Sequence, residues 1–216
     1  MRKQLVLVGA GGFGREVAWQ LGQINDLSQT YDILGFVDDS PETGGKVLNG
    51  LPVVGDTDWL LRYPGEISAV ICVGSSKSRK TIAEKLGANP QIEFPNVIAS
   101  DVRYSDTVRL GKGCVICLSN IWTVNITAGD FVVAGVDCSV GHDAVIGDCV
   151  TLHPSVNVSG NVNIGPCTEI GTGTNIIQGK KIGGYCVIGA GSVVIRDIPE
   201  KCTAVGVPAE PIKFHF

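Results

Sequence analysis

Residues 140–193 read VGHDAV/IGDCVT/LHPSVN/VSGNVN/IGPCTE/IGTGTN/IIQGKK/IGGYCV/IGAGSV, with an aliphatic residue opening every block of six. The count extends back without a break through Ala134, Ala128, Trp122 and Ile116 to Leu110, and forward to Val194. Two residues before most of these positions the side chain is small or β-branched, as at Cys114, Val132, Ala144, Val150 and Val162. An apolar face that recurs every six residues is not helical, because a helix brings its apolar face round about every 3.6 residues. A short fixed period is the mark of a solenoid. The spacing predicts a prism of short parallel strands, one hexapeptide to a face, with the aliphatic and the small residue two before it both pointing inward. Glycine follows many of the aliphatics directly, and is expected to turn each corner at positive φ.

Composition narrows the rest. In 216 residues, 17 Lys and Arg stand against 21 Asp and Glu, a net charge of -4 that provides no basic surface for nucleic acid. No apolar run is long enough to cross a bilayer, and the N-terminal apolar segment ends at once in glycines, unlike a signal peptide. A soluble, cytoplasmic chain is expected. Of the eight cysteines, Cys114, Cys138 and Cys186 take the small inward position, and Cys72 lies in the strand-like run Ala69 to Val73. Cys117, Cys149, Cys167 and Cys202 show neither C-x-x-C pairing nor histidines at zinc spacing, so reduced thiols and no metal are expected.

Before the repeat, strand alternates with helix. Gln4–Val8, Ile33–Val37, Val53–Val54 and Ala69–Val73 read as strands. Helices are expected from near Arg15, over Thr57–Arg62 and over Ser78–Leu86, which describes a small parallel α/β sheet with a Rossmann-like first turn. The expected domains are 1–97, Rossmann-like, and 98–216, the β-helix with a short tail. Gly9, Gly11 and Gly14 form G-x-G-x-x-G between strand and helix, where free N–H groups and the helix dipole favour a phosphate. Asp38 follows at about the distance at which an acidic residue holds a ribose. By itself the pattern suits a dinucleotide, a nucleotide or a tight turn with no ligand.

On the β-helix, His142 follows an inward aliphatic at a corner, so its ring should project from the prism, with Asp143 beside it. Such a histidine can accept a proton near neutral pH, and a neighbouring carboxylate can orient it.

The hexapeptide run resembles the left-handed parallel β-helix of bacterial acyltransferases. Joined to a G-x-G-G loop at Gly9–Gly12 and to Val37-Asp38-Asp39, the whole chain resembles the sialic-acid O-acetyltransferase and nucleotide-linked amino-sugar N-acetyltransferase family. That resemblance implies a sugar-nucleotide site in the first domain. Gly11, Gly12 and Phe13 would stand at the phosphates, with Phe13 where a histidine is common, and Asp38 by the nucleoside. It implies His142 as general base with Asp143 as partner, and places Thr151 at a position that often carries a histidine near the thioester. His153 is the alternative there, through Thr151 keeps a hydroxyl able to donate. It implies acetyl-CoA in a groove between subunits of a homotrimer, against Gly160, Thr172 and Ala190. The implied reaction is N-acetylation of an amino sugar linked to UDP, GDP or dTDP, for lipopolysaccharide or capsule. O-acetylation of sialic acid or another capsule sugar, and sugar-nucleotide binding without catalysis, are the alternatives.

Overall fold

The computed structural model describes residues 2–215. The first domain is a sheet with flanking helices: β1 (Lys3–Val8), α1 (Gly12–Ser28), β2 (Tyr31–Val37), β3 (Val47–Leu48), β4 (Leu51–Gly55), α2 (Thr57–Leu61), β5 (Ile67–Ile71), α3 (Ser76–Leu86) and β6 (Ile92–Glu93). The strand order is β3-β4-β2-β1-β5-β6, parallel except for the β3–β4 hairpin. β1 is apolar without alternation because both of its faces are covered. Leu5 and Leu7 pack with α1, while Val6 and Val8 pack with Leu60, Ala83 and Leu86 of α2 and α3. The first helix starts at Gly12, three residues earlier than expected, with Gly11 as an N-cap that supplies no side-chain bond. The short strands β3 and β6 were not anticipated from the sequence; two residues carry no readable period.

Strand Val97–Ile98 straddles the expected division at 97/98 and opens a parallel β-helix of three sheets. Its first face runs from Val97–Ile98 through Val115–Ile116, Val133–Ala134, Thr151–Leu152 and Glu169–Ile170 to Val187–Ile188. The second runs from Arg103–Tyr104 to Val193–Val194, and the third from Arg109–Leu110 to Lys181–Ile182. Stacked residues are 18 apart, as where Asn125 meets Asp143. The inward aliphatics and the small residues two before them form one continuous buried column. Each fully buried Ile, Val or Leu in it stabilises the fold by about 1.5–3 kcal/mol. Trp122 belongs to this column, with its indole N–H donating to Asn120. All eight cysteines are buried and unpaired.

The corners differ from expectation. Positive φ falls on the third residue after each inward aliphatic, mostly a non-glycine: Asn125 (φ 57), Asp137 (φ 60), Asp143 (φ 58), Ser155 (φ 59) and Asn161 (φ 58). The glycine directly after the aliphatic has another purpose. A Cβ on Gly141 would stand 2.6 Å from the amide nitrogen of Gly160 in the next coil. Close stacking of coils, and not backbone handedness, selects glycine there.

The first domain docks on the first face. The outward residues Val97, Val115, Val133 and Thr151 are buried under it. Gln20 of α1 donates to Ile116 O (3.0 Å), and Glu169 accepts from the N–H and hydroxyl of Ser76 at the start of α3 (2.8 and 2.9 Å). After Val194 the chain adds strand Cys202–Val205 to the first face and returns antiparallel through Glu210–Phe214.

Candidate active site

His142 and Asp143 occupy the corner between the second and third faces. The turn places Asp143 in the left-handed region, which a short polar side chain tolerates better than a bulky one. Backbone bonds fix the corner from both neighbouring coils: Asp143 N–H donates to Val124 O (3.0 Å), and Asn161 N–H donates to His142 O (2.8 Å). Asp143 Oδ2 lies 2.8 Å from His142 Nδ1, and Asn125 Nδ2 donates to Asp143 Oδ1 (3.2 Å). A carboxylate only accepts, so the proton of the neutral imidazole sits on Nδ1 and Nε2 presents its lone pair. Nε2 has no partner among the described residues, and the side chain is half exposed. The His142 bond, and after it the Asn125 bond, hold the Asp143 carboxyl below the usual carboxylate range. A chain Asn125–Asp143–His142 therefore presents one basic nitrogen to the outside, the arrangement a general base requires.

The His142 ring lies over Gly160, where an added Cβ would collide with Nε2, Cε1 and Cδ2. Within the chain, then, Gly160 makes room for the imidazole. Thr172 and Ala190 stack on a different edge from Gly160, between the first and second faces, and both are exposed.

The glycine loop lies on the far side of the molecule's second face from His142. Gly14 must be glycine, since a Cβ there would strike Gly9 O. Gly11 and Gly12 are different: they are exposed, and an added Cβ at either meets no atom within 4 Å. The chain's own packing does not call for them. Asp38 accepts from Ala10 N–H (2.7 Å) at Oδ2, and from Ser40 N–H (2.9 Å) and the Thr43 hydroxyl (3.0 Å) at Oδ1. Burial pushes this carboxyl up, but the three donors outweigh it and hold it below its ordinary value. The carboxylate thus braces the loop, while also lining an open cavity of about 460 Å³ with Asp39, Ser40 and Gly55.

A second cavity, of about 220 Å³, opens between the start of α1, the loop after β5 and the corner after Leu152. Phe13, Glu16, Gly74, Thr151, His153 and Pro154 line it, so the structure brings Phe13, Thr151 and His153 together. Of the two alternatives at this place, Thr151 and His153, the Thr151 side chain is already engaged. Its hydroxyl donates to Gly74 O (2.9 Å) and accepts from Arg79 Nη2 (2.8 Å), so its proton is engaged between the domains. His215 lies 3.0 Å from the Thr203 hydroxyl and ties down the terminal strand.

Several of these residues were not singled out from sequence. Asn125 was findable, being one coil before Asp143; Glu16, Gly74 and Arg79 carry no signal until the domains are docked.

The fold has counterparts among known proteins. The model of the PglD N-terminal domain matches residues 4–86. No curated protein matches the chain. Among solved structures, the acetyltransferase domain of PglB from Neisseria gonorrhoeae FA1090, in complex with acetyl coenzyme A, is 32% identical, with a TM-score of 0.90 over 98% of this chain and 100% of its own. The chain belongs to the hexapeptide-repeat sugar acetyltransferases. WeeI from Acinetobacter baumannii AYE is 30% identical, with a TM-score of 0.88 over 97% of this chain and 100% of that one. A histidine-to-asparagine variant of perosamine N-acetyltransferase from Caulobacter crescentus, in complex with CoA and GDP-perosamine, is 27% identical, with a TM-score of 0.90 over 97% of each chain. As a member of this family the chain is an acyltransferase, and its solenoid is the left-handed β-helix. Among the described residues no helix is long and apolar enough to cross a membrane.

Proposed function

We propose that this acetyltransferase moves the acetyl group of acetyl-CoA onto the amine of a UDP-, GDP- or dTDP-linked 4-amino-4,6-dideoxy sugar in bacterial surface-glycan synthesis. The observation that carries the reading is the His142 ring, with Nδ1 held by Asp143 and Nε2 unpartnered and outward. His142 Nε2 removes the amine proton as the nitrogen attacks the thioester carbonyl. The tetrahedral intermediate collapses, the C–S bond breaks, and CoA leaves as thiolate. Backbone N–H groups serve as oxyanion donors. Direct attack needs both substrates bound together, so the kinetics should be sequential and not ping-pong.

The division of labour is residues 1–97 for the sugar nucleotide and 98–216 for acyl transfer. The phosphates lie at Gly11 and Gly12, whose lack of side chains the chain's own packing leaves unexplained. The nucleoside lies by Asp38, and the sugar reaches the cavity of Phe13 and His153. That cavity and His142 are on different edges of one chain, so transfer needs a second copy to bring them together. Val124, Val145, Ile177 and Ile195 leave apolar surface exposed beside the His142 edge, which supports a homotrimer with acetyl-CoA held between subunits against Gly160, Thr172 and Ala190. Eight unpaired cysteines fit a reducing cytoplasm.

The test is thiol release from acetyl-CoA with a panel of UDP-, GDP- and dTDP-linked 4-amino sugars and free sialic acid, with His142→Ala alongside. Release with one amino-sugar nucleotide, lost in the variant, supports the reading and names the substrate. Release with sialic acid alone replaces it by O-acetylation. CoA binding without release leaves a binding protein that has lost the chemistry.

A further inference from the structure

α3 carries a cation that the reaction just described does not use. Arg79 is fully buried, with 0% of its surface exposed, and no carboxylate is hydrogen-bonded to it. Its guanidinium is instead shared among neutral acceptors from both domains. Nε donates to Phe131 O (2.9 Å). Nη1 donates to Val73 O and Gly74 O (2.8 and 3.1 Å), and Nη2 to Cys149 O, Val150 O and the Thr151 hydroxyl (2.8, 3.1 and 2.8 Å). Thr151 closes the circuit by donating to Gly74 O (2.9 Å).

A buried charge of this kind is costly to desolvate and is tolerated when its donors are satisfied. Arginine suits the place because its planar fork aims five N–H groups in fixed directions, whereas a lysine has three donors on a single atom. Two of the residues the fork joins, Gly74 and Thr151, belong to opposite walls of the cavity that also contains Phe13, Glu16 and His153. One wall comes from the loop after β5, the other from the first face of the β-helix. Ser76 and Glu169 make the neighbouring contact between the same two elements.

We infer that Arg79 is a positioning residue that sets the width of this cavity, and through it the placement of the acceptor sugar. The acceptor part of the inference rests on the reading in the preceding section. None of the groups that Arg79 holds contacts His142 of the same chain, and the inference assigns Arg79 to acceptor binding, which the acceptor KM reads separately from kcat and the acetyl-CoA KM.

Two measurements test it on the full chain, with Arg79→Lys as the conservative variant and Thr151→Val as the milder one should Arg79→Lys fail to fold. The first is hydrogen–deuterium exchange without ligand. Arg79→Lys should speed exchange at residues 73–76 about tenfold and leave the strands of the second face unchanged. Unaltered exchange at 73–76, or an equal rise across the whole chain, overturns the inference. The second is steady-state kinetics. Arg79→Lys should raise the acceptor KM about tenfold, and Thr151→Val about threefold, with kcat and the acetyl-CoA KM within about twofold. Equal losses for both substrates, in step with lost thermal stability, would reduce Arg79 to a structural residue. Should the wild-type chain acetylate no amino-sugar nucleotide, the functional reading fails, and the exchange pattern alone decides whether Arg79 is the strut.

Discussion

The first face of the β-helix and its two other faces are built on the same hexapeptide, and differ at the residue just before each inward aliphatic. On the first face that residue is Val97, Val115, Val133, Thr151, Glu169 or Val187; the first domain buries the first four, and Val187 beyond it is exposed. On the other faces it is mostly exposed and polar, as at Arg103, Asn157, Asn175, Arg109, Thr127, Asn163 and Lys181, with Ile121 and Val145 as exposed apolar members and Ser139 and Val193 half-buried. The inward positions make the prism; the outward ones help set which side carries the first domain. The same contrast separates the edges. The edge under the domain holds a cavity closed by two elements, whereas the edge with His142 is bare.

The largest effect should come from the bare edge. His142→Ala should lower kcat about 10²–10⁴-fold, the usual range for a general base, while CoA binding measured by calorimetry stays near wild type. A loss below tenfold would move the base elsewhere. Next is the contrast between faces. Val133→Asp buries an unpaired charge under the first domain and should cost on the order of 4 kcal/mol in denaturant unfolding, whereas Asn163→Asp on the third face should stay within about 0.5 kcal/mol. Equal costs would mean that the domain does not dock where it is drawn.

Gly160→Ala sharpens the comparison from the other side. Its Cβ would displace the His142 ring, so kcat should fall about 10–100-fold with little change in stability. A rise in the acetyl-CoA KM alone would instead make Gly160 purely a cofactor contact. The smallest effect belongs to Asn125→Ala, which removes one donor to Asp143 at 3.2 Å and should lower kcat about threefold to tenfold. That substitution also lifts the Asp143 carboxyl back toward its ordinary value, since the Asn125 bond is one of the two that depress it. The sign follows: a depressed carboxyl stabilises the corner above the ordinary carboxylate pKa, and the effect is lost as pH falls through the lower folded value. In the variant the loss should begin at higher pH, as seen by carboxylate NMR titration.

Much of this molecule was legible without coordinates. The six-residue period required a parallel β-helix because no other regular structure returns an apolar side chain to one interior at that spacing. The alternation before it required a parallel α/β sheet, and the strand and helix positions from Gln4 to Leu86 fell within a few residues of those observed. His142 and Asp143 could be paired because they are adjacent, and a corner residue projects outward. The corner chemistry was misread, since contact between coils is a relation between residues 18 apart, and local propensity names only a residue's own φ. The choice between Thr151 and His153 was not legible for a related reason: the Thr151 hydroxyl is engaged only once α3 brings Arg79 and Gly74 against it.

The sequence by itself thus determined the two architectures, their order and the pairing of His142 with Asp143, all of which depend on short-range periodicity and adjacency. Tertiary structure alone decided which face the first domain covers, which cavity it closes, where Arg79 lies, and that His142 stands on a different edge from that cavity. Those are long-range packing relations, set by the docking of two separately patterned surfaces, and neither surface's local sequence encodes the distance between them.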